Sequence, residues 1–339
     1  MKKALLLLSF VHLLVACTND IEVLPDDEPQ KLIINAMMNA GSTDNAIFLA
    51  LSGYRAPQVV KNGIIRLYIN DVLSETVTEC THHSANDYES EYMDYFYQIN
   101  SCFRTGDHIR IEVETKDGKY KANAETTVCE PIEIVRADTI ATSGGISENE
   151  GYFLLVQYAN WEIKLKAPSS SRHHYYRVDI KHDFAYHLVN RNTLQDSIVT
   201  SAVWECSGYY DTALMDGKPG NPNNNDPFIN FIPTINNYHN VFSDAYFTDG
   251  QYTMALESYY TFGMDSKQYE VRKASGKYTI QYYAIPQNEY QYLKAANANT
   301  GHDSSDLLQT PVIFPTNVKG GIGIFTIENP TEYTINLME

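Results

Sequence analysis

One group of potential metal ligands lies between Cys80 and Glu89. Cys80, His82 and His83 carry thiol and imidazole groups, and Asp87 and Glu89 follow them. These are side chains that bind zinc in proteins. The spacing matches no zinc-binding pattern, however, and adjacent histidines on a strand point to opposite faces. We therefore predict a solvated loop here, and neither a metal nor another cofactor.

Catalytic signatures are missing from the sequence. It contains no G-x-S-x-G, H-E-x-x-H, P-loop or G-x-G-x-x-G motif. A glycosidase-type pair of carboxylates leaves no local motif. Because the chain has 42 acidic residues, the sequence does not single out any two of them as such a catalytic pair. The run from Asn223 to Asp226 could offer oxygens to calcium, yet it lacks the alternation and the bidentate glutamate of a calcium loop. The sequence therefore predicts a plain turn there, and a protein that is not an enzyme.

Tyrosines crowd the segment from Tyr88 to Tyr97, where they are interleaved with acidic residues. Exposed tyrosine offers rigid contact area at low entropic cost, which suits a binding surface. We predict that Tyr88, Tyr92 and Tyr95 form such a surface. The alternative is that tyrosine is simply a good strand residue whose hydroxyl reaches water at a sheet edge. For any single cluster this alternative is the more economical explanation.

The start of the chain has the pattern of an export signal. Lys2 and Lys3 precede an apolar run, and Cys17 follows Leu-Val-Ala. The 13 residues from Ala4 to Ala16 are too few to span a bilayer, which needs about 20. The pattern is similar to a bacterial lipoprotein signal, with an ordinary secretory signal as the alternative. We predict that residues 1–16 form a signal peptide and that acyl chains such as palmitate on Cys17 anchor the protein to a membrane, at about 0.8 kcal/mol per buried methylene.

The chain is strongly acidic, with a formal charge of −17. Cleavage before Cys17 would remove Lys2 and Lys3 and leave −19. Such a surface repels phosphate backbones, so we predict no nucleic-acid partner.

Four cysteines remain after Cys17, and export would place them in a compartment where disulfides persist. We favour a bridge between Cys80 and Cys102, because these two residues lie at either end of one local segment within a β-rich region. That the cysteines stay reduced, as small apolar side chains, is the alternative.

Hydrophobic patterns predict a mainly β protein. Residues 17–30 hold five acidic residues and two prolines, which indicates an acidic tether. In the segment 109–125, aliphatic residues alternate with polar ones on either side of Asp117-Gly118, which offers the positive φ angles of a primed hairpin turn. Pro131 cannot donate to a β-ladder, and we place a domain boundary there.

The second half of the chain shows the same alternation of aliphatic and polar residues. Alternating runs at 161–165 and 176–180, joined by a polar loop, predict two strands of an antiparallel sheet. Residues 288–299 are the one convincing helix. We therefore predict two domains, 31–130 and 131–339, each built mainly as a β-sandwich.

Several short motifs occur in a recognisable order. They are the lipobox, a strand at 31–36, Leu51-Ser52, a strand at 175–178, Asp226-Pro227, the helix segment 289–293 and the closing run 317–325. Because these motifs follow one another in this order, the chain resembles a family of Bacteroidota lipoproteins, domain of unknown function forty-two forty-nine. Thr310-Pro311 departs from the pattern, since an acidic residue would be expected before the proline.

This resemblance implies an N-terminal immunoglobulin-like β-sandwich, a second β-rich domain and a place in the cell envelope. It also implies association with TonB-dependent outer-membrane receptors, and it supplies no catalytic residues.

These features predict an outer-membrane lipoprotein, facing the periplasm or the medium. We expect a non-enzymatic binding or accessory module that partners a TonB-dependent receptor in nutrient capture. A structural or adhesive surface component and a glycan- or peptide-acting hydrolase are the alternatives.

Overall fold

The computed structural model describes residues 29–53, 56–83, 94–149, 152–169, 172–204, 211–217, 237–265, 267–300 and 313–338. The chain is mainly β, as the patterns predict. Among the described residues there is one α-helix, α1 (Gln287–Thr300), which confirms the helix predicted at 288–299. No helix in this part of the chain is long and apolar enough to cross a membrane.

The first nine strands form the N-terminal unit. They are β1 (Leu32–Asn39), β2 (Asn45–Leu51), β3 (Gln58–Val59), β4 (Gly63–Ile69), β5 (Val72–Val77), β6 (Thr81–His82), β7 (Tyr95–Ile99), β8 (His108–Thr115) and β9 (Lys121–Thr127). In β8 every second side chain is buried, which places one face on the core and the other towards solvent.

The remaining strands are mostly longer. They are β10 (Glu133–Asn149), β11 (Tyr152–Lys166), β12 (Tyr175–Asn190), β13 (Asp196–Trp204), β14 (Val241–Ser243), β15 (Gln251–Asp265), β16 (Tyr269–Ile285), β17 (Val318–Lys319) and β18 (Gly321–Met338).

A ten-stranded sheet runs through both halves of the molecule, in the order β13-β12-β16-β18-β1-β2-β7-β6, with β14 beside β12 and β3 beside β2. A five-stranded sheet, β17-β9-β8-β4-β5, packs on its N-terminal part, and a three-stranded sheet, β10-β11-β15, packs on its other part. Two sandwich-like cores result.

The hairpin predicted at 109–125 is confirmed, because β8 and β9 pair antiparallel from His108–Thr127 to Glu114–Lys121. Its turn differs from the predicted one. Only Gly118 has a left-handed backbone, with φ of 70°, whereas a primed type I turn needs two such residues. Asp117 instead accepts hydrogen bonds from the Thr115 hydroxyl and the Lys119 amide at 2.5 and 3.1 Å, which closes a longer loop.

Strands β11 and β12 do not pair with each other, contrary to the prediction from their patterns. β11 lies between β10 and β15, whereas β12 lies beside β13, β14 and β16. Trp161 of β11 and Tyr176 of β12 enter the same core from opposite sheets. Facing strands and paired strands show the same alternation, so the pattern alone could not distinguish them.

The last strand, β18, belongs to both units. Its first part, Gly321–Glu328, pairs parallel with β1, and its second part, from Asn329, pairs antiparallel with β16. Val318, Phe325 and Ile327 are buried in the N-terminal core, although they lie outside the range 31–130. The N-terminal core is therefore completed by the far end of the chain.

Candidate functional site

A pocket of about 440 Å³ lies where α1 begins, beside the segment after β9 and the start of β12. Its volume falls in the range of about 300–1,000 Å³ that is typical of small-molecule sites. It is lined by Cys129, Glu130, Arg172, His173, His174, Tyr175, Ala284, Ile285, Pro286 and Gln287. Charged, imidazole and apolar groups thus meet in one concavity, which we call the junction pocket.

Two larger grooves, of about 590 and 680 Å³, lie on sheet faces. In the first, Arg66 and Lys121 both contact Glu114, at 2.9 and 3.1 Å. In the second, Lys181 and Lys277 share Asp183 at 3.1 and 3.8 Å. Both grooves lie on single sheet faces, whereas the junction pocket is formed where separate segments of the chain meet, so the junction pocket is the better candidate.

Asp244 fixes both histidines of the junction pocket. It lies in a 3-10 turn, Asp244–Tyr246. Its carboxylate lies 3.2 Å from Nδ1 of His173 and 2.8 Å from Nδ1 of His174, and it accepts from the His174 amide at 3.0 Å. A carboxylate only accepts, so the proton of each neutral ring lies on Nδ1. Asp244 thus orients the His174 ring, whose side chain is 14% exposed, more firmly than the His173 ring, whose side chain is 76% exposed.

Cys129 is a wall residue of the junction pocket and not an activated nucleophile. Burial, with the nearby charge of Glu289 as a second cause, raises the pKa of its thiol to about 11. Nucleophilic cysteines have a lowered pKa, because the thiolate is the reactive form. The raised pKa makes Cys129 a poor candidate for the nucleophile of a Cys–His–Asp set.

A charged network lies beneath α1 on the outer face of the large sheet. Arg177 donates from Nε and Nη2 to the two carboxylate oxygens of Glu328, at 3.0 and 3.1 Å, and from Nη1 to Asp179. Its guanidinium lies 4.1 Å from the centroid of the Tyr283 ring. One cation thus serves two carboxylates and an aromatic face.

Burial shifts the titration of two acids in this network. Burial raises the pKa of Asp179 to about 6, although Arg177 opposes that shift. Glu289 in the first turn of α1 is fully buried, and burial followed by the charge of Glu328 raises its pKa well above the ordinary value.

Helix α1 is docked by aromatic and amide contacts. Tyr290 stacks on Tyr175 with ring centroids 4.7 Å apart. Leu293 packs in a small core with Val241 and Ile285, and helical spacing places Leu293 one turn after Glu289. The wall of the junction pocket formed by the start of α1 is therefore held in place by the helix.

The predicted binding surface is only partly described. Tyr95 is half-buried on β7, with its ring 4.5 Å from that of His82 and 3.6 Å from Nζ of Lys61. Tyr88 and Tyr92 lie outside the described residues, as do Cys17 and the run Asn223–Asp226.

Cys80 and Cys102 are free thiols, so the favoured bridge is not formed in this structure. Cys80 is half-buried, with Sγ 4.0 Å from the Thr81 carbonyl oxygen, whereas Cys102 is exposed on a loop. Within the described ranges no group of three or more histidine, cysteine or acidic residues is placed to hold a metal ion.

Sequence reasoning missed the residues of the junction pocket. Arg172 belongs to the polar loop predicted between the runs at 161–165 and 176–180, the sequence gives His173 and His174 no role, and Asp244 lies 70 residues after His174. One signal was available: Glu289 shares the helix face of Leu293, and an acid on an apolar face indicates a buried site.

The family model for a domain of unknown function, DUF4249, matches residues 18–334. The chain belongs to the DUF4249 family. The match covers both sandwich-like units of this DUF4249 protein, with the junction pocket between them. No curated protein matches it.

Two solved structures are similar over part of their length. Both are β-glucuronidases of Parabacteroides merdae, one with glycerol in the active site. They are 9% and 11% identical to this DUF4249 chain, with a TM-score of 0.19 each, and the alignments cover 92% and 76% of it. The chain spans about a quarter of their length, 25% and 23%. Nothing about its activity follows from a similarity of this size.

Proposed function

We propose that this protein is an acylated envelope lipoprotein that captures a ligand without turning it over. The junction pocket is the binding site in this proposal. A TonB-dependent outer-membrane receptor is the partner, as the family resemblance implies, and nutrient capture is the role. Residues 1–16 are the signal peptide and Cys17 carries the lipid.

The observation that supports ligand capture is the preorganised wall of the junction pocket. Asp244 orients His173 and His174, while Arg172 and Glu130 add one charge of each sign. Tyr175, Ile285 and Pro286 add apolar surface. A pocket that combines apolar area with a few oriented polar groups is the usual design of a small-molecule site.

A hydrolase is the second candidate, because a histidine oriented by a carboxylate is also the arrangement of a general base. His174 with Asp244 has that geometry at 2.8 Å. Cys129 is a poor nucleophile for such a reaction, since burial raises the pKa of its thiol to about 11. Binding is therefore the better-supported function.

The anchoring step is tested by Cys17→Ala. We expect the variant to appear in the soluble fraction or as an unprocessed precursor. Metabolic labelling with a fatty-acid analogue should mark the wild type and not the variant. A wild-type protein that takes up no label would refute the lipid anchor.

The binding step is tested by affinity capture from solubilised envelopes, followed by mass spectrometry of proteins and small molecules. Wild type is compared with a double variant, Arg172→Ala with His173→Ala. The matched control is Arg191→Ala, an exposed arginine in the turn after β12. We expect the wild type and the control to retain a small molecule that the double variant loses.

Equal recovery by all three proteins would refute the junction pocket as the site. Turnover of an envelope or dietary polymer by the purified protein at an enzyme-like rate would refute capture without turnover. A receptor recovered by every variant would show that the receptor contact lies elsewhere on the surface.

A further inference from the structure

Glu289 is a buried titratable group that ligand capture does not use. It lies in the first turn of α1 with 0% of its surface exposed. Its carboxyl group lies against the carboxyl group of Glu328 and the hydroxyl of Thr326. Neither of its oxygens meets a donor in hydrogen-bonding geometry among the described residues. An ionised carboxylate in this position would be a buried charge that the Thr326 hydroxyl and the charge of Arg177 compensate only in part, which is unfavourable.

The nearest cation, Arg177, can compensate only in part for such a charge. Both oxygens of Glu328 accept from Arg177, at 3.0 and 3.1 Å, and Arg177 also donates to Asp179. One positive charge is therefore already shared by two carboxylates. The titratable and charged groups that face this cluster from the neighbouring elements are Glu328 on β18, Arg177 and Asp179 on β12, Tyr283 on β16, Cys129 after β9 and His239 before β14.

We propose that Glu289 and Glu328 share one proton, and that this proton holds the first turn of α1 on the sheet. The protonated carboxyl of Glu289 donates to the Glu328 carboxylate, which keeps its two hydrogen bonds from Arg177. Release of the proton to solvent leaves two adjacent buried carboxylates. Their repulsion drives the first turn of α1 away from β18.

The shared proton is connected to the junction pocket through two walls. Pro286 and Gln287, at the start of α1, line one wall. Cys129 lines another, and its carbonyl oxygen accepts from Nδ2 of Asn329, the neighbour of Glu328, at 2.8 Å. The pocket therefore keeps its shape while the proton is bound. This step rests on the proposed function of the pocket, whereas the shared proton does not.

The direction of the pH dependence follows from linkage. Burial and the charge of Glu328 raise the pKa of Glu289 in the folded protein, whereas in the unfolded chain it titrates near about 4.3. Above that pH the folded state binds one proton more than the unfolded state. The free energy of unfolding therefore decreases as the pH rises from about 4.3 towards the folded pKa.

The experiment uses the full mature chain and compares wild type, Glu289→Gln and a control, Glu257→Gln, on the exposed side of β15. Urea unfolding is measured from pH 5 to pH 8. Glutamine mimics the protonated acid and does not titrate. We therefore expect the ratio of the folding constant of Glu289→Gln to that of the wild type to increase by up to about tenfold for each unit that the pH rises. Asp179 titrates in all three proteins and cancels in the comparison. Parallel curves for wild type and Glu289→Gln would overturn the proposal.

Hydrogen exchange in the wild type gives a second test that needs no variant. After correction for intrinsic base catalysis, the amides of α1 should lose protection as the pH rises from 5 to 8, because opening of α1 exposes the Glu289 carboxyl group to solvent. Protection of α1 that stays constant over this pH range would overturn the proposal. Neither measurement involves a ligand, so the shared proton and ligand capture can fail separately.

Discussion

Arg177 and Glu328 form a bidentate ion pair of 3.0 and 3.1 Å between strands that lie 151 residues apart in the chain. Arg177 lies on β12, in the second unit, and Glu328 is the last residue of β18 that pairs with β1. The side chain of Glu328 is 5% exposed, so little solvent screens the pair. The pair thus joins the second unit to the strand that completes the first.

Replacing Arg177 with methionine should destabilise the protein strongly. Breaking a buried ion pair by removing one partner typically costs about 3–5 kcal/mol, because the remaining charge is uncompensated. Here two carboxylates, Glu328 and Asp179, would lose their cation. Urea unfolding at pH 7 measures the change. The control, Arg191→Met, should lie within about 0.5 kcal/mol of wild type, as exposed substitutions usually do, and a loss below about 1 kcal/mol for Arg177→Met would contradict the prediction.

Gly323→Ala should cost at least about twice as much as Gly41→Ala. Both glycines have left-handed backbones, with φ of 110° and 75°, so each substitution introduces backbone strain of roughly 1–3 kcal/mol. A Cβ at Gly323 would lie 2.1 Å from the carbonyl oxygen of Ile34, whereas one at Gly41 meets nothing within 4 Å. The difference between the two losses in unfolding free energy therefore measures the cost of the close approach of β18 to β1. Equal losses would show that β18 can shift to relieve the clash at Gly323.

Ser258→Ala should leave a buried donor without an acceptor. The indole Nε1 of Trp161, fully buried in the second core, donates to the Ser258 hydroxyl at 2.9 Å. Loss of the acceptor should cost about 1–3 kcal/mol. Ser74→Ala is the matched control, because its hydroxyl contacts Ser101 at the surface at 2.8 Å. Thermal unfolding of both variants checks the difference, and an unchanged melting temperature for Ser258→Ala would contradict the prediction.

A fragment of residues 31–130 should not fold cooperatively. It lacks Val318, Phe325 and Ile327 of the N-terminal core and the parallel partner of β1. Circular dichroism with thermal unfolding should show no sharp transition for the fragment. A synthetic peptide of residues 316–338, added in trans, should restore one. Cooperative unfolding of the fragment alone would contradict the prediction.

The sequence predicts local elements of this fold well. The hairpin of β8 and β9 and the helix α1 follow from side-chain periodicity, which reports the burial of one face. Periodicity does not report which strand pairs with which. The neighbours of β11 and β12 therefore had to come from the structure, as did the division of β18 between β1 and β16.

The junction pocket could not be predicted because its parts are distant in the sequence. Cys129, His174 and Pro286 come from three separate segments, and Asp244 from a fourth. None of these segments has an internal spacing that indicates a site. Only a buried acid such as Glu289, on the apolar face of a predicted helix, has a local signal, because charge on such a face is rare unless it is compensated.

The place of β18 at the carboxyl end has a consequence for biosynthesis. A chain that emerges from the ribosome exposes β1 long before Gly321–Glu328 is translated, so one edge of the first sheet stays unpaired during almost all of synthesis. An open strand edge is a template for pairing with other chains. Nascent chains of this protein should therefore be most prone to aggregation just before translation ends, and early termination should produce fragments that depend on chaperones for solubility.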